Sequence, residues 1–299
     1  MAGAFTAVDL SQLAAPDIVE TVDFEGVLSA MIADLQARAP EFDALVESDP
    51  AFKILEVAAY RETLLRQRVN EATQAVMLAY ASGADLDQIA ANYSVKRLVL
   101  DPGDPDAIPP VAPTYESDSE LRRRVQLAPE GYTVAGSQGA YVFHALGADP
   151  DVKDAQALSP SPGNVTVYIL SRVGNGSANV DLVDGVDAVL DDETIRPMTD
   201  NVTVQSVTIT EYSVDAALIV YPGPDAEVIR QTAETAAVNY VETQHRLGFD
   251  VTLSGLYAAL HQPGVQNVTI NSPASDIVMN TGEAAFCTSV SVVVGGTDV

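Results

Sequence analysis

Asp49-Pro50-Ala51-Phe52-Lys53-Ile54-Leu55-Glu56-Val57-Ala58-Ala59-Tyr60-Arg61-Glu62-Thr63-Leu64-Leu65-Arg66-Gln67-Arg68-Val69-Asn70-Glu71-Ala72 is the stretch from which the front of this chain can be read. A capping Asp followed by Pro opens a helix, because a first-turn residue has no intrahelical use for the N–H that Pro lacks. Leu55, Ala58, Leu65, Val69, Ala72, Val76 and Ala79 recur at steps of three, four or seven. That spacing predicts one apolar stripe on a helix from Pro50 to about Ser82. The stripe is expected to pack inside its own helical domain, so that Leu65→Asp would abolish soluble expression. Its polar exception is Glu62, between Arg61 and Arg66. A carboxylate there could be an acid with a raised pKa; the preferred reading is an ion-pair residue that fixes helix packing.

Working outward, Gly83 is the expected stop of that helix, and Asp85 the cap of a short one carrying Leu86, Ile89 and Ala90. Upstream, Phe24, Val27, Leu28, Met31, Ile32 and Leu35 form another helical stripe that Pro40 ends, with a short helix expected around Phe42 to Val46. Residues 1–21 read as an N-terminal arm, and 22–100 as a helical domain. Five prolines between Pro102 and Pro113 make 101–116 a semi-rigid extended linker. Asp101, Asp104 and Asp106 within it miss the alternating spacing and glycine of a calcium loop.

Beyond the linker the hydrophobic period changes. Ser117 or Ser119 can cap a helix through Leu121 and Val125, and Gly136 to Leu146 forms another. Val152–Ala157 and Val165–Leu170 read as strands around a Ser-Pro-Ser-Pro-Gly-Asn turn cluster. A helix over Val180–Leu190 and a strand over Asn201–Val207 complete a middle α+β domain, 117–208. The C-terminal domain, 209–299, starts afresh: a strand Tyr212–Tyr221, a helix from Asp225 to about Arg246, a shorter one Thr252–Leu260, and strands Val265–Ile270 and Ala285–Val294. The fold class is therefore α+β, an N-terminal helical domain followed by two small mixed domains.

Composition excludes several functions. Hydrophobic residues make up 47% of 299, too many for a disordered chain and enough for more than one core. With 42 acidic against 15 basic residues the net charge is −27, which repels nucleic acid and anionic membranes. The cations gather as Arg61, Arg66 and Arg68; Lys96 and Arg97; and Arg122, Arg123 and Arg124, read first as internal ion-pair partners. No apolar run approaches the roughly 20 residues that span a bilayer, and no basic-then-apolar leader opens the chain, so residence in the cytosol or release by lysis is expected.

Chemistry-bearing motifs are equally scarce. Cys287, alone, excludes an intrachain disulfide and reads as half-buried strand packing. His144, His245 and His261 fall on three different predicted helices without a second ligand at metal spacing. The latter two sit near helix C-termini, where a cation is favoured. Gly136-Ser137-Gln138-Gly139 is no nucleophile elbow, and Gly174-Asn175-Gly176 is a flexible, exposed turn. Asp191, Asp192 and Glu193 cluster at a helix end; a glycan hydrolase would need two such carboxylates set across a cleft. No catalytic, cofactor-binding or metal residue is assigned. The expected character is a non-enzymatic assembly part, with a glycan hydrolase as the alternative.

Several patches in order now acquire a second meaning. Asp49–Glu56, Tyr60-Arg61-Glu62, Arg68–Ala72, Ala81-Ser82-Gly83-Ala84-Asp85-Leu86-Asp87 and Tyr93–Arg97 resemble the front end of the baseplate J-like family of contractile-tailed phages. Glu116–Arg122 with Arg124, Ala135–Tyr141, Gly163–Val167 and Arg196-Pro197-Met198-Thr199-Asp200 are similar to its middle segment, and Gly264-Val265 to its end. The resemblance spans roughly residues 20–295. It implies a structural baseplate wedge protein, pairing with a second copy of itself and binding other wedge, hub and sheath-proximal tail proteins. It further implies wedges joined into a six-fold ring that rearranges when the sheath contracts, in a virion tail assembled in the host cytoplasm. A genome-free contractile particle uses the same baseplate. Candidate hinges are the prolines from Pro102 to Pro113 and the junction Thr208–Thr210, and the acidic excess would select basic partners.

Overall fold

The computed structural model describes residues 10, 13, 14, 16, 21–223 and 225–299; most of the arm read over 1–21 lies outside them. The chain divides into two compact units. One holds the described residues up to Arg97 together with Glu116–Val125, the other Leu98–Tyr115 and Gln126–Val299.

In the helical unit, α1 (Phe24–Arg38) starts where the Asp23 carboxylate accepts the N–H groups of Glu25 and Gly26, and it ends just before Pro40. α2 (Pro50–Ala75) opens at Asp49-Pro50 as expected, but the Asp49 carboxylate accepts the Val46 N–H and caps no helix N–H. Val27 and Leu28 of α1 bury against Ala59, with Phe24, Met31, Ile32, Phe52 and Leu55 around them. Three expectations change here. The segment after Pro40 is a three-residue 3-10 turn, Pro40–Phe42, not a helix to Val46. α2 stops at Ala75 rather than Ser82, and Gly83 begins α3 (Gly83–Ala91) instead of ending α2. Beyond Leu55, the Leu55–Ala79 stripe is not core: Leu65 is 68% exposed, Val69 56% and Val76 75%. α1 rises about 22 Å and α2 about 39 Å, so the shorter helix cannot cover the longer, and it packs on the face bearing Phe52 and Ala59. The unit is completed by Asp118–Val125 of α4 (Asp118–Leu127). Ser117 and Glu120 start this helix with a capping box, the Ser117 N–H and hydroxyl both donating to the Glu120 carboxylate.

The second unit opens with the proline segment. It does not run extended; β1 (Val99–Asp101) and β2 (Thr114–Tyr115) pair antiparallel, and Asp104 bridges Val111. Gly103 makes the reversal possible: its φ is +68°, and a Cβ there would collide with the Val111 carbonyl.

Two α+β halves follow. In the first, α5 (Gln138–Ala148) is capped by the Ser137 hydroxyl, which accepts the Ala140 N–H. β3 (Val152–Ser161) and β4 (Asn164–Ser171) form a hairpin, and β5 (Asn201–Ser206) returns parallel to β4 after the crossover helix α6 (Val180–Leu190). Tyr141, Leu146, Val167, Ile169, Val186 and Leu190 fill the space between helices and sheet. In the second half, β6 (Thr208–Val220) is central. It pairs antiparallel with β7 (Val265–Ser272) and parallel with β8 (Glu283–Thr297). α7 (Ala226–Gln244) and α8 (Leu253–Leu260) connect β6 to β7, and Ile229, Ala233, Ala237 and Leu260 bury against Ala216, Leu218 and Val220. Each half is read from period: alternation in the strands, three-and-four spacing in the helices.

The expected hinge Thr208–Thr210 is part of β6, paired to Glu283–Ala285. Between β5 and β6 lies only Val207, buried, its N–H donating to the Ile169 carbonyl at 3.0 Å while that of Thr208 donates to Gly282 at 2.9 Å. Backbone bound to both sheets has no free torsion to act as a hinge.

Ile169 is fully buried at the sheet centre, so Ile169→Ala is expected to cost about 2–5 kcal/mol, measured as a lowered urea midpoint of the full chain.

Candidate functional site

The charged groups mark where this chain is held together. In the helical unit, residues 76–82 have no helical hydrogen-bond ladder, and arginines replace it. Arg122 donates to the carbonyls of Leu78 and Ala81, both at 2.7 Å. Arg97 reaches Asp87 and Asp118 at 2.7 Å each and the Glu116 carbonyl at 2.9 Å. Arg124 meets the fully buried Glu116 carboxylate at 2.6 Å. The planar guanidinium suits such multi-point contacts, which an ammonium could not make. The Gly83 N–H, with Arg97, holds the Asp118 carboxyl below the usual carboxylate range. Arg97 and Arg124 are thus internal ion-pair partners, as read from sequence, and Arg122 binds internal carbonyls. Glu62 bonds Arg66 at 2.6 Å on an exposed part of α2, an ordinary one-turn pair and not a buried acid.

The second concentration of buried polarity lies where the two α+β halves meet. Asp154, on β3, is 3% exposed. Its carboxylate accepts the Leu247 N–H at 3.1 Å, just past α7, and has Arg246 at 3.7 Å. Two residues on, Gln156 accepts the Gly282 N–H at 3.0 Å. Leu170, Val207, Leu247 and Ala284 close an apolar cluster beside these bonds. Gly176, expected to be an exposed turn, is buried here with φ +101°; a Cβ would come within 2.5 Å of Leu170 and 2.7 Å of His245. His245 caps α7, its ring edge-on to Phe286 at 5.3 Å. A helix C-terminus should favour the imidazolium, yet burial and the nearby Lys153 ammonium push the pKa down to about 4. Desolvation wins over the dipole. Sequence reading missed this joint. Nothing in Val152-Lys153-Asp154-Ala155-Gln156 singles out Asp154, since Lys153 and Gln156 are polar neighbours in the same strand.

Two motifs far apart in sequence also meet. Gly136, at φ +72°, lies against Pro197 and Asp200, where a Cβ would come within 2.8 Å of each. The Tyr141 hydroxyl donates to Asp200 at 2.8 Å, and the Arg196 guanidinium donates to the Asp200 carbonyl at 3.2 Å. These contacts tie the start of α5 to the entry of β5.

The remaining sequence candidates are dispersed. His144 lies within α5 against Phe143, its pKa lowered by burial, and His261 caps α8. Cys287 is half-buried in β8, with its thiol pushed up by burial. Asp101 and Asp104 accept N–H groups of Gly103 and Asp106 in the hairpin, Asp191 pairs with Arg196, and Asp192 binds Thr194. Among the described residues no group of three His, Cys, Asp or Glu could hold a metal ion. A cleft of about 220 Å³ beside His245 contains one carboxylate, Glu242, with Lys153 and Cys287. No described helix is long and apolar enough to cross a membrane.

Three family models match in order: the baseplate J-like N-terminal domain over residues 47–104, the central domain over 133–206 and the C-terminal domain over 212–293. Over 298 residues the chain is 49% identical to baseplate protein J of Escherichia phage P2, covering 97% of this chain and 99% of that one. It is also similar to a chain of the anti-feeding prophage baseplate solved by cryo-EM, at 13% identity and a TM-score of 0.41, over 59% of this chain and 43% of that one.

Asp154→Ala leaves the buried Leu247 N–H without its acceptor and is expected to cost about 2–4 kcal/mol, read from urea unfolding. His245 gives a pH dependence whose sign is fixed. The unfolded chain takes up its proton near 6.5 and the folded chain only near 4, so its stabilising contribution is full above 6.5 and falls as pH drops through that window. The melting-temperature advantage of wild type over His245→Gln should shrink across that window in calorimetry; a constant difference would exclude the burial effect.

Proposed function

Because the chain belongs to the baseplate J-like family, we propose that it is a structural baseplate wedge protein of a contractile tail. The observation that carries this is the identity to phage P2 baseplate protein J along nearly the whole of both chains, with three family domains in order. In this reading the protein pairs with a second copy and binds other wedge, hub and sheath-proximal proteins. Wedges then join into a six-fold ring around the hub, and rearrangement of the ring triggers sheath contraction. The protein resides in the virion tail after assembly in the host cytoplasm, or in a genome-free particle built the same way. Segments 22–100, 117–208 and 209–299 act as its modules, a division supported by the family matches at 47–104, 133–206 and 212–293.

The physical chemistry is compatible. A ring component must transmit displacement, and the α+β halves, bonded through Asp154 and Gln156, resist shearing against each other. A net charge of −27 steers basic partners to the protein and disfavours nucleic acid. The role is non-enzymatic, with no catalytic, cofactor or metal residue. The hydrolase alternative gains nothing from the cleft beside His245, where one carboxylate faces no second.

Quantitative mass spectrometry of purified intact tails should find this chain at a copy number that is a multiple of six, counted against a sheath or tube protein. Absence from the particle, or a trace amount, would overturn the reading.

A further inference from the structure

The proline hairpin spans no distance. Val99 pairs with Tyr115 at its base, and the Arg97 guanidinium donates to the Glu116 carbonyl at 2.9 Å. Ends that already meet need only a short connection, yet the chain travels out from Leu98 and back to Tyr115.

The excursion is built to hold its shape. Asp104 and Val111 exchange both backbone bonds, at 3.0 and 2.9 Å, closing a tip in which Pro105, Pro109 and Pro110 fix φ. The Asp101 and Asp104 carboxylates accept the N–H groups of Gly103 and Asp106 at 2.8 and 2.9 Å. Because Val111 is bonded through both its N–H and its carbonyl, Pro110-Val111-Ala112-Pro113 is not a free polyproline ligand.

Among the described residues nothing covers what this tip presents. Ile108 is 100% exposed, with exposed Pro109, Pro110 and Val111 following it. One exposed apolar side chain is ordinary, but an apolar run on a constrained, projecting tip marks a contact surface. Ordering such a loop in advance removes a cost that binding would otherwise carry.

Charge selects the occupant. Asp101, Asp104 and Asp106 are exposed, and Leu98–Tyr115 contains no Lys, Arg or His. The complementary surface is therefore apolar at its centre and basic at its rim. A second copy is a poor occupant, since a chain with 42 acidic and 15 basic residues repels an acidic tip. Nucleic acid and anionic membranes are repelled for the same reason.

We propose that the tip of the 98–115 hairpin docks into another protein, with Ile108 seated in an apolar pocket whose rim carries Lys or Arg. The side chain of Ile108 supplies the anchor, and the three carboxylates choose the partner. The identity of that protein as a tail component rests on the proposed function, whereas the hairpin and its preference do not.

A photo-crosslinker at position 108 of the full-length chain tests this, in cells that produce intact tails. The link should fall on another protein, at an apolar segment flanked by Lys or Arg. It is read in whole-cell lysate and in purified tails, so the surface is tested even where the chain is absent from the particle. Ile108→Asp should leave the melting temperature of the isolated chain unchanged and cut the yield of intact tails at least about tenfold. Asp106→Lys should also lower the yield, and Asp106→Glu should keep it at the wild-type level. A link to a second copy, to this chain itself, to an acid-bordered segment or to nothing would overturn the proposal. So would a wild-type tail yield from Ile108→Asp, or a lowered melting temperature, which would place Ile108 inside its own fold. The copy number of the chain in tails is a separate count, so either reading can fail alone.

Discussion

One carboxylate constrains more of this molecule than any other group. Asp154 sits inside a strand, where solvent cannot reach it, and a buried ion is tolerable only with donors arranged around it. One donor is the neighbouring Ala155 N–H; the other partners come from the far half of the same unit, the Leu247 N–H and the Arg246 guanidinium beyond α7. Both sheets must therefore be assembled, and α7 must end where it does, before the carboxylate is satisfied. Gly176 and His245 make the same demand sterically, since the close approach of Gly176 leaves no room for a side chain. The one-residue crossing at Val207, bonded to both sheets, makes the join continuous.

The helical unit solves a similar problem differently. Its apolar core is small, a patch between α1 and the first half of α2. Beyond it, residues 76–97 bury Ala81, Leu86, Ala90 and Val95, and arginines add bonds to carbonyls and carboxylates from several turns at once. The few cations of an acidic chain are thus mostly spent within the fold. The one-turn pairs on exposed helix faces, Arg38 with Asp34 and Arg66 with Glu62, contribute little to stability.

Much of the fold could be read from the chain. The α6 boundaries, the Asp49-Pro50 start of α2, a serine cap for α4 and the strands around β4 follow from period and capping, which are local properties. The readings that changed share a feature. Residues 76–82, the proline hairpin and Gly176 take their conformations from contacts distant in sequence, and no local rule reports those. The joint was not visible: Asp154 stands between Lys153 and Gln156 in a strand whose polar residues do not announce which one is buried.

The sequence by itself determined the element types, the α+β class, the family and the absence of a recognisable catalytic motif, because each is encoded in neighbouring residues or in ordered patches. It also determined that α2 bears an apolar stripe. Only the tertiary structure decided that this stripe faces outward. Period fixes which residues share a helix face, but burial depends on whether another element is long enough and close enough to cover it, and α1 covers the other side.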